Sequence, residues 1–218
     1  MWNAHIGPAF GVAWSPDGRQ LATGGMDAVV RLWDADAQDK ELATLKGHTG
    51  QVFSVAWHPN QQWLASASED GTVRLWDPKE KQEPVILRGH GGGVSSVTWS
   101  PDGRQLASSG VDGIKVWDTT TGKVNLGLRG HSGPVACVAW RPDADSERQR
   151  LASVGDDGTL KLWDLVAGQE VLTLRANKSD LQSVAWSPDG QRLVAGSADG
   201  TIKIWSTSPS HQPDDQPK

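Results

Sequence analysis

LASASEDGTVRLWD, residues Leu64 to Asp77, is the stretch that decides the fold. Leu64 to Ser68 is a small, apolar run that suits a buried strand. Glu69, Asp70 and Gly71 supply turn chemistry, because Asp and Gly tolerate positive φ and close tight hairpins between hydrophobic runs. Thr72 to Trp76 returns as a second strand, so the stretch reads as a β-hairpin ending in a tryptophan. The same hairpin occurs five times, ending on Trp33, Trp76, Trp117, Trp163 and Trp205 at spacings of 43, 41, 46 and 42 residues.

A second tryptophan series precedes it: Trp14, Trp57, Trp99, Trp140 and Trp186 each end a short β-rich run such as Val52 to Trp57. Between the two series lies a Ser-Pro-Asp-Gly turn at 15–18, 100–103 and 187–190, replaced by His58, Pro59 and Asn60 in the second repeat. The fourth repeat carries four extra residues there, which predicts an extended polar loop over Asp143 to Arg150. After each of the first four return strands comes another apolar run: Leu42 to Leu45, Pro84 to Leu87, Val124 to Leu128 and Val171 to Leu174. These lead into Gly47-His48, Gly89-His90 and Gly130-His131, or a relative of that pair. Each unit is thus four short strands, a to d. One such unit cannot bury both faces alone, and stacking units radially buries them.

Gly-His, then Ser/Thr-x-x-x-Asp, then Trp-Asp at a period near 43 resembles the WD40 repeat, over nearly all of residues 4–206. The resemblance implies an all-β propeller of five four-stranded blades, over repeats 5–46, 47–88, 89–129, 130–175 and 176–206. It also implies a buried hydrogen-bonded set in each repeat. The matching sets are His5, Thr23, Asp27, Trp33; His48, Ser66, Asp70, Trp76; His90, Ser108, Asp112, Trp117; and His131, Ser153, Asp157, Trp163. A buried Asp needs donors, and imidazole and indole N–H groups supply them. Repeat five departs, with Asn177 and Ala195 in place of His and Ser; repeat three has one residue fewer between Asp112 and Trp117. Both are expected to be locally weaker.

Function classes narrow by elimination. A Ser-His-Asp set suggests nucleophilic catalysis, but a catalytic set occurs once and this one recurs four times. The same repetition commits His5, His48, His90 and His131 to scaffolding, so no metal site, catalytic residue or cofactor is expected. No unused pair of acids suits a propeller hydrolase, the less favoured class. The formal net charge of −5 and the few basic residues in the loops argue against nucleic acid. The lone Cys137 permits no intrachain disulfide, and no apolar run is long enough to span a bilayer. With no signal peptide visible, a cytoplasmic protein is expected. Arg31, Arg74, Lys115, Lys161 and Lys203, each two before a return-strand Trp, read as stems packed on neighbours with heads in solvent.

Loops d–a and b–c share one edge of the blades, the top. WD40 domains commonly bind peptides and proteins there. Carried over by position, the binding candidates are Pro8, Phe10, Met26, Gln51, Phe53, Glu69, Val111, Pro134, Asp156 and Asp180. Phe10, Met26 and Phe53 form the expected apolar patch, against the alternative that both rings are blade-to-blade core.

The ends carry their own expectations. Ser206 to Lys218 has no apolar run to serve as strand d, so the last blade lacks its outer strand and the Pro-rich tail 207–218 is expected to be disordered. Trp2 is the only remnant of a closing N-terminal strand, and Thr201 to Trp205 is left as an open edge. The family usually has seven blades. The chain is therefore read as the last part of a larger propeller, with a closed five-bladed ring or assembly of chains through open edges as alternatives. Alone, it is expected to form an incompletely closed ring or to self-associate.

Overall fold

The computed structural model describes residues 4–37, 40–61, 63–79, 83–142, 149–175 and 179–206. Expectations for Trp2, for residues 143–148 of the long loop, for Asn177 and for the tail 207–218 lie outside the described residues.

Among the described residues the regular structure is five antiparallel sheets, one per repeat, each in chain order. Blade one holds β1 (Ala9–Trp14), β2 (Gln20–Gly25), β3 (Val30–Asp34) and β4 (Glu41–Leu45). Blade two holds β5 (Val52–Trp57), β6 (Leu64–Ser68), β7 (Thr72–Trp76) and β8 (Val85–Arg88). Blade three holds β9 (Val94–Trp99), β10 (Gln105–Gly110), β11 (Gly113–Asp118) and β12 (Lys123–Leu128). Blade four holds β13 (Val135–Trp140), β14 (Arg150–Gly155), β15 (Thr159–Asp164) and β16 (Gln169–Arg175). Blade five has only three: β17 (Leu181–Trp186), β18 (Arg192–Ser197) and β19 (Ile202–Ser206). The fold is an all-β propeller arrangement of five blades, the last of which has three strands among the described residues.

The opening hairpin is β6–β7, paired Leu64 with Trp76 through Ala67 with Val73. Alternation along a strand sends successive side chains to opposite faces of its blade. One face of blade one, with Ala22, Val30 and Leu32, therefore packs on the facing side of blade two, with Val52, Val55, Leu64 and Trp76. Later junctions repeat the pattern. Ala67, Val73 and Leu75 meet Val97, Trp99 and Trp117; Ala107, Ile114 and Val116 meet Val138, Trp140 and Trp163. The core is thus four sandwiched layers, each shared by two blades.

Blade five does not close onto blade one. Val12 and Trp14 are 67% and 61% exposed, whereas Val97 and Trp99, at the same positions of blade three, are 4% and 6%. At the other end Ile202 and Ile204 are 72% and 68% exposed. The five blades form an open arc.

Two local expectations sharpen. In the second repeat, His58 replaces the turn serine: its Nδ1 accepts the Asn60 amide at 3.1 Å, as Ser15 and Asp17 organise the first turn. The basic residues before the tryptophans do not hold their heads in solvent throughout. Arg31 donates to Asp27 at 2.8 Å, Lys115 pairs with Asp112 at 3.1 Å, and Lys161 is buried against Glu170 and Thr173. A carboxylate within reach in the same blade offsets the cost of burying the charge.

Candidate functional site

Four blades contain the same relay. In blade two the Trp76 indole donates to Ser66 Oγ at 2.8 Å, and Ser66 Oγ lies 2.7 Å from His48 Nε2. His48 Nδ1 lies 2.8 Å from Asp70. An ionised carboxylate only accepts, so Nδ1–H donates, Nε2 accepts from the serine hydroxyl, and the serine accepts from the indole. The relay recurs in blade one through Trp33, Thr23, His5 and Asp27. It recurs in blade three through Trp117, Ser108, His90 and Asp112, and in blade four through Trp163, Ser153, His131 and Asp157. Each Asp also accepts the backbone amide after its histidine, from Ile6, Thr49, Gly91 and Ser132. The relay thereby ties the d–a loop to the b–c turn and holds the top edge rigid.

The electrostatics follow from that geometry. Burial pushes Asp70 up, but hydrogen bonds from Thr72, His48 and the Thr49 amide outweigh it and hold the carboxyl down to about 2. Asp27, Asp112 and Asp157 are likewise held at about 2. Burial lowers His48, His90 and His131 more than their aspartates raise them, so these imidazoles are held neutral.

The top-edge candidates come together in pairs. The Met26 amide donates to the Pro8 carbonyl at 2.9 Å, Glu69 to Gln51 at 2.9 Å, and Asp156 to Pro134 at 3.1 Å. In blade five the Asp180 carbonyl accepts from Ala198 at 2.9 Å. The residue before the turn Asp therefore sits beside the start of strand a. Val111 is exposed and lines, with Arg129, Ser132 and Pro134, a groove of about 490 Å³ between the tops of blades three and four. Asp156 is pushed up by burial and by the neighbouring charges of Asp180 and Asp157, which marks an acidic spot across blades four and five.

Phe10 and Phe53 occupy equivalent bulges. The pairing of β1 with β2 skips from Ala9 to Gly11, and that of β5 with β6 from Val52 to Ser54. A bulge re-aims the extra side chain away from the sheet pattern. The two rings meet edge to face, 5.6 Å apart at 61°, across the junction of blades one and two. Phe10 is still 45% exposed, Met26 is 52% and Ile6 is 83%. The rings are thus a blade-to-blade contact and a surface feature at once.

Ile6 is the residue that sequence reasoning missed. It stands where the sibling repeats place Thr49, Gly91 and Ser132, so comparison down that column would have singled it out. The bulges do leave a trace, since the buried Val52 and Val55, like Val94 and Val97, stand three apart where period-two alternation would put them two or four apart, but that trace does not say where the extra side chain is aimed. Among the described residues no cluster of three or more His, Cys, Asp or Glu could hold a metal ion, and no helix is long and apolar enough to cross a membrane.

Comparison with known proteins agrees with the geometry. The WD domain, G-beta repeat, matches residues 1–34, 39–77, 81–118, 122–164 and 168–206. A stretch of 46 residues, 21% of this chain, is 41% identical to COMPASS component SWD1 of Saccharomyces cerevisiae. That match spans 11% of the relative's length. Five tandem matches lie on five sheets, four of which carry the same Trp–Ser/Thr–His–Asp relay; the chain belongs to the WD40 repeat family.

Proposed function

We propose that the protein is a non-catalytic scaffold that binds a protein or peptide segment on the top edge of its blades, centred on blades one and two. A role in protein interaction follows from the five WD40 repeats themselves. The observation that carries the site is the exposed apolar group Ile6, Met26 and Phe10, with Phe10 braced on Phe53. These side chains stand on hydrogen-bonded turns, so a partner meets a preorganised surface and little ordering entropy is lost. Covering one such side chain fully is worth about 1.5–3 kcal/mol. Glu69, Asp156 and Asp180 add negative charge along the same edge. The partner is therefore read as a segment with an apolar anchor and a flanking Lys or Arg, steered by charge and held by the anchor. A relative named as a component of COMPASS fits a chain whose work is to hold other proteins.

A displayed peptide library panned on the protein tests this, with affinities measured by fluorescence anisotropy. The enriched peptides should join an apolar or aromatic anchor to a basic residue. Met26→Asp or Ile6→Asp should weaken them at least tenfold, while Lys79→Ala on the opposite edge leaves them unchanged. Peptides that bind the Met26 and Ile6 variants as tightly as the wild type would sink the assignment.

A further inference from the structure

The four interior junctions show what a blade face requires of its neighbour. On the receiving side, strand a presents a valine and a tryptophan, as Val97 and Trp99 do in blade three. The indole reaches across to a strand-a carbonyl of the preceding blade. Trp57 donates to Ala13 at 3.2 Å, Trp99 to Ala56 at 3.0 Å, Trp140 to Thr98 at 3.3 Å, and Trp186 to Ala139 at 3.2 Å. At two junctions a strand-a serine also accepts the valine amide: Val97 N–H to Ser54 Oγ at 3.3 Å, and Val138 N–H to Ser96 Oγ at 3.4 Å. The other face offers small and branched apolar residues from strands b and c.

The end blades carry the two halves of this junction uncovered. Blade one presents Val12 and Trp14. Blade five presents Ile202 and Ile204 where blade two buries Val73 and Leu75. Its strand a also carries Ser183 and Ala185 at the positions of Ser54 and Ala56. Both faces are exposed in the same arc, so the chain's own curvature does not bring them together.

We infer that these faces form a fifth junction between copies of this chain. Blade one of one copy seats on blade five of the next, with the Trp14 indole donating to the Ala185 carbonyl and the Val12 N–H to Ser183 Oγ. The argument is continuity with an interface that the chain already builds four times from the same residues. The contact joins unlike faces, so it is head-to-tail and adds copies in series rather than ending in a twofold dimer. It uses the sides of the end blades and is independent of the top-edge reading.

Light scattering after size-exclusion chromatography of the 218-residue chain tests it. The mass should exceed 23.4 kDa and climb with concentration. Val12→Glu spoils one face and Ile204→Glu the other, so each variant alone should run at 23.4 kDa. Mixed, they should form a dimer, because the Ile204 variant supplies an intact blade one and the Val12 variant an intact blade five. Ser183→Ala should weaken association several-fold, and Met26→Asp should leave it unchanged. Circular dichroism confirms folding; if a glutamate variant unfolds, Val12→Ser and Ile204→Ser make the same pair. A wild-type mass of 23.4 kDa at every concentration overturns the inference, as self-closure of the arc would. Failure of the mixed variants to dimerise overturns it as well, because it assigns association to another surface.

Discussion

Blade two and blade five are built from the same repeat and differ in what holds them. Blade two is covered on both faces, has four strands, and carries the full relay from Trp76 to Asp70. Among the described residues blade five packs only on blade four, has three strands, and places the buried Ala195 where blade two has Ser66. Its Asp199 organises the hairpin turn through the Thr201 amide and hydroxyl, as Asp70 does through Thr72. The strand register is nonetheless alike: Leu193 pairs with Trp205 as Leu64 pairs with Trp76. Apolar alternation and the turn are therefore enough to set the blade's shape. The relay adds stability and rigidity to a shape already chosen, and it does so in blade one, which has one face uncovered, as well as in blades covered on both faces.

The largest way to break this difference is acid. His48, His90 and His131 have folded-state pKa values below 6.5, so below that pH the unfolded chain binds more protons than the folded one. Stability is full above pH 6.5 and falls as the pH drops below it, by up to roughly 1.4 kcal/mol per pH unit for each histidine. The depressed aspartates act in a lower window: their contribution is present above about pH 4 and is lost as the pH falls toward about 2. Urea unfolding between pH 7 and 5 should show the first loss, and blades two to four should account for it. A flat profile over that range would contradict the neutral-histidine relay.

Next in size is Asp70→Ala. It leaves the His48 N–H, the Thr49 amide and the Thr72 amide without an acceptor, at a cost of about 3 kcal/mol. Asp199→Ala, on an exposed turn, should cost under about 1 kcal/mol. Native-state hydrogen exchange separates the two, since β17–β19 should exchange faster than β6–β7 in the wild type and Asp70→Ala should narrow the gap. Equal costs for the two substitutions would mean that the relay does not distinguish the blades.

How much of this was legible follows the same division. Leu64 to Trp76 and its siblings are local patterns repeated five times, so strands and turns, including the three strands described in blade five, could be read directly. The relay could be placed because its members recur at fixed spacing. Phe10 and Phe53 could be named but not aimed, because the three-residue apolar spacing, as from Val52 to Val55, marks a break in alternation without giving the direction of the extra side chain. Lys161 was misread for a related reason. Its burial depends on Glu170 and Thr173 from the next strand, a pairing that the basic residue itself does not announce.

Exchanging the relay's central hydroxyl gives a smaller, two-way test. Ser66→Ala removes the partner of both the Trp76 indole and His48 Nε2 and should cost about 2 kcal/mol. Ala195→Ser places a hydroxyl opposite Lys203, as Ser66 stands opposite Arg74, within the same Leu–Trp register. It should give the Trp205 indole an acceptor and gain up to about 1 kcal/mol, read as a higher urea midpoint. A loss on Ala195→Ser would show that blade five has diverged in more than side-chain chemistry.

The smallest effect concerns a turn. Four of the five hairpins reach positive φ on a glycine, at Gly71, Gly113, Gly158 and Gly200. Blade one uses Ala28, with φ of 63°. A Cβ in the left-handed region meets its own backbone, at a cost of about 1 kcal/mol, and glycine escapes it. Blade one tolerates the strain because Asp27 is held by His5, by the Ile6 amide and by Arg31. The turn is fixed from outside rather than by its own preference. Ala28→Gly should therefore raise stability by at most about 0.5 kcal/mol, the relief of strain being largely offset by the greater freedom of an unfolded glycine. The gain should vanish in an Asp27→Ala background, where the His5, Ile6 and Arg31 contacts no longer fix the turn and only the Ala28 amide to Gly25 carbonyl bond remains across it. An equal gain in both backgrounds would mean that the turn keeps its shape without the relay, and that the difference between blades lies in their covered faces alone.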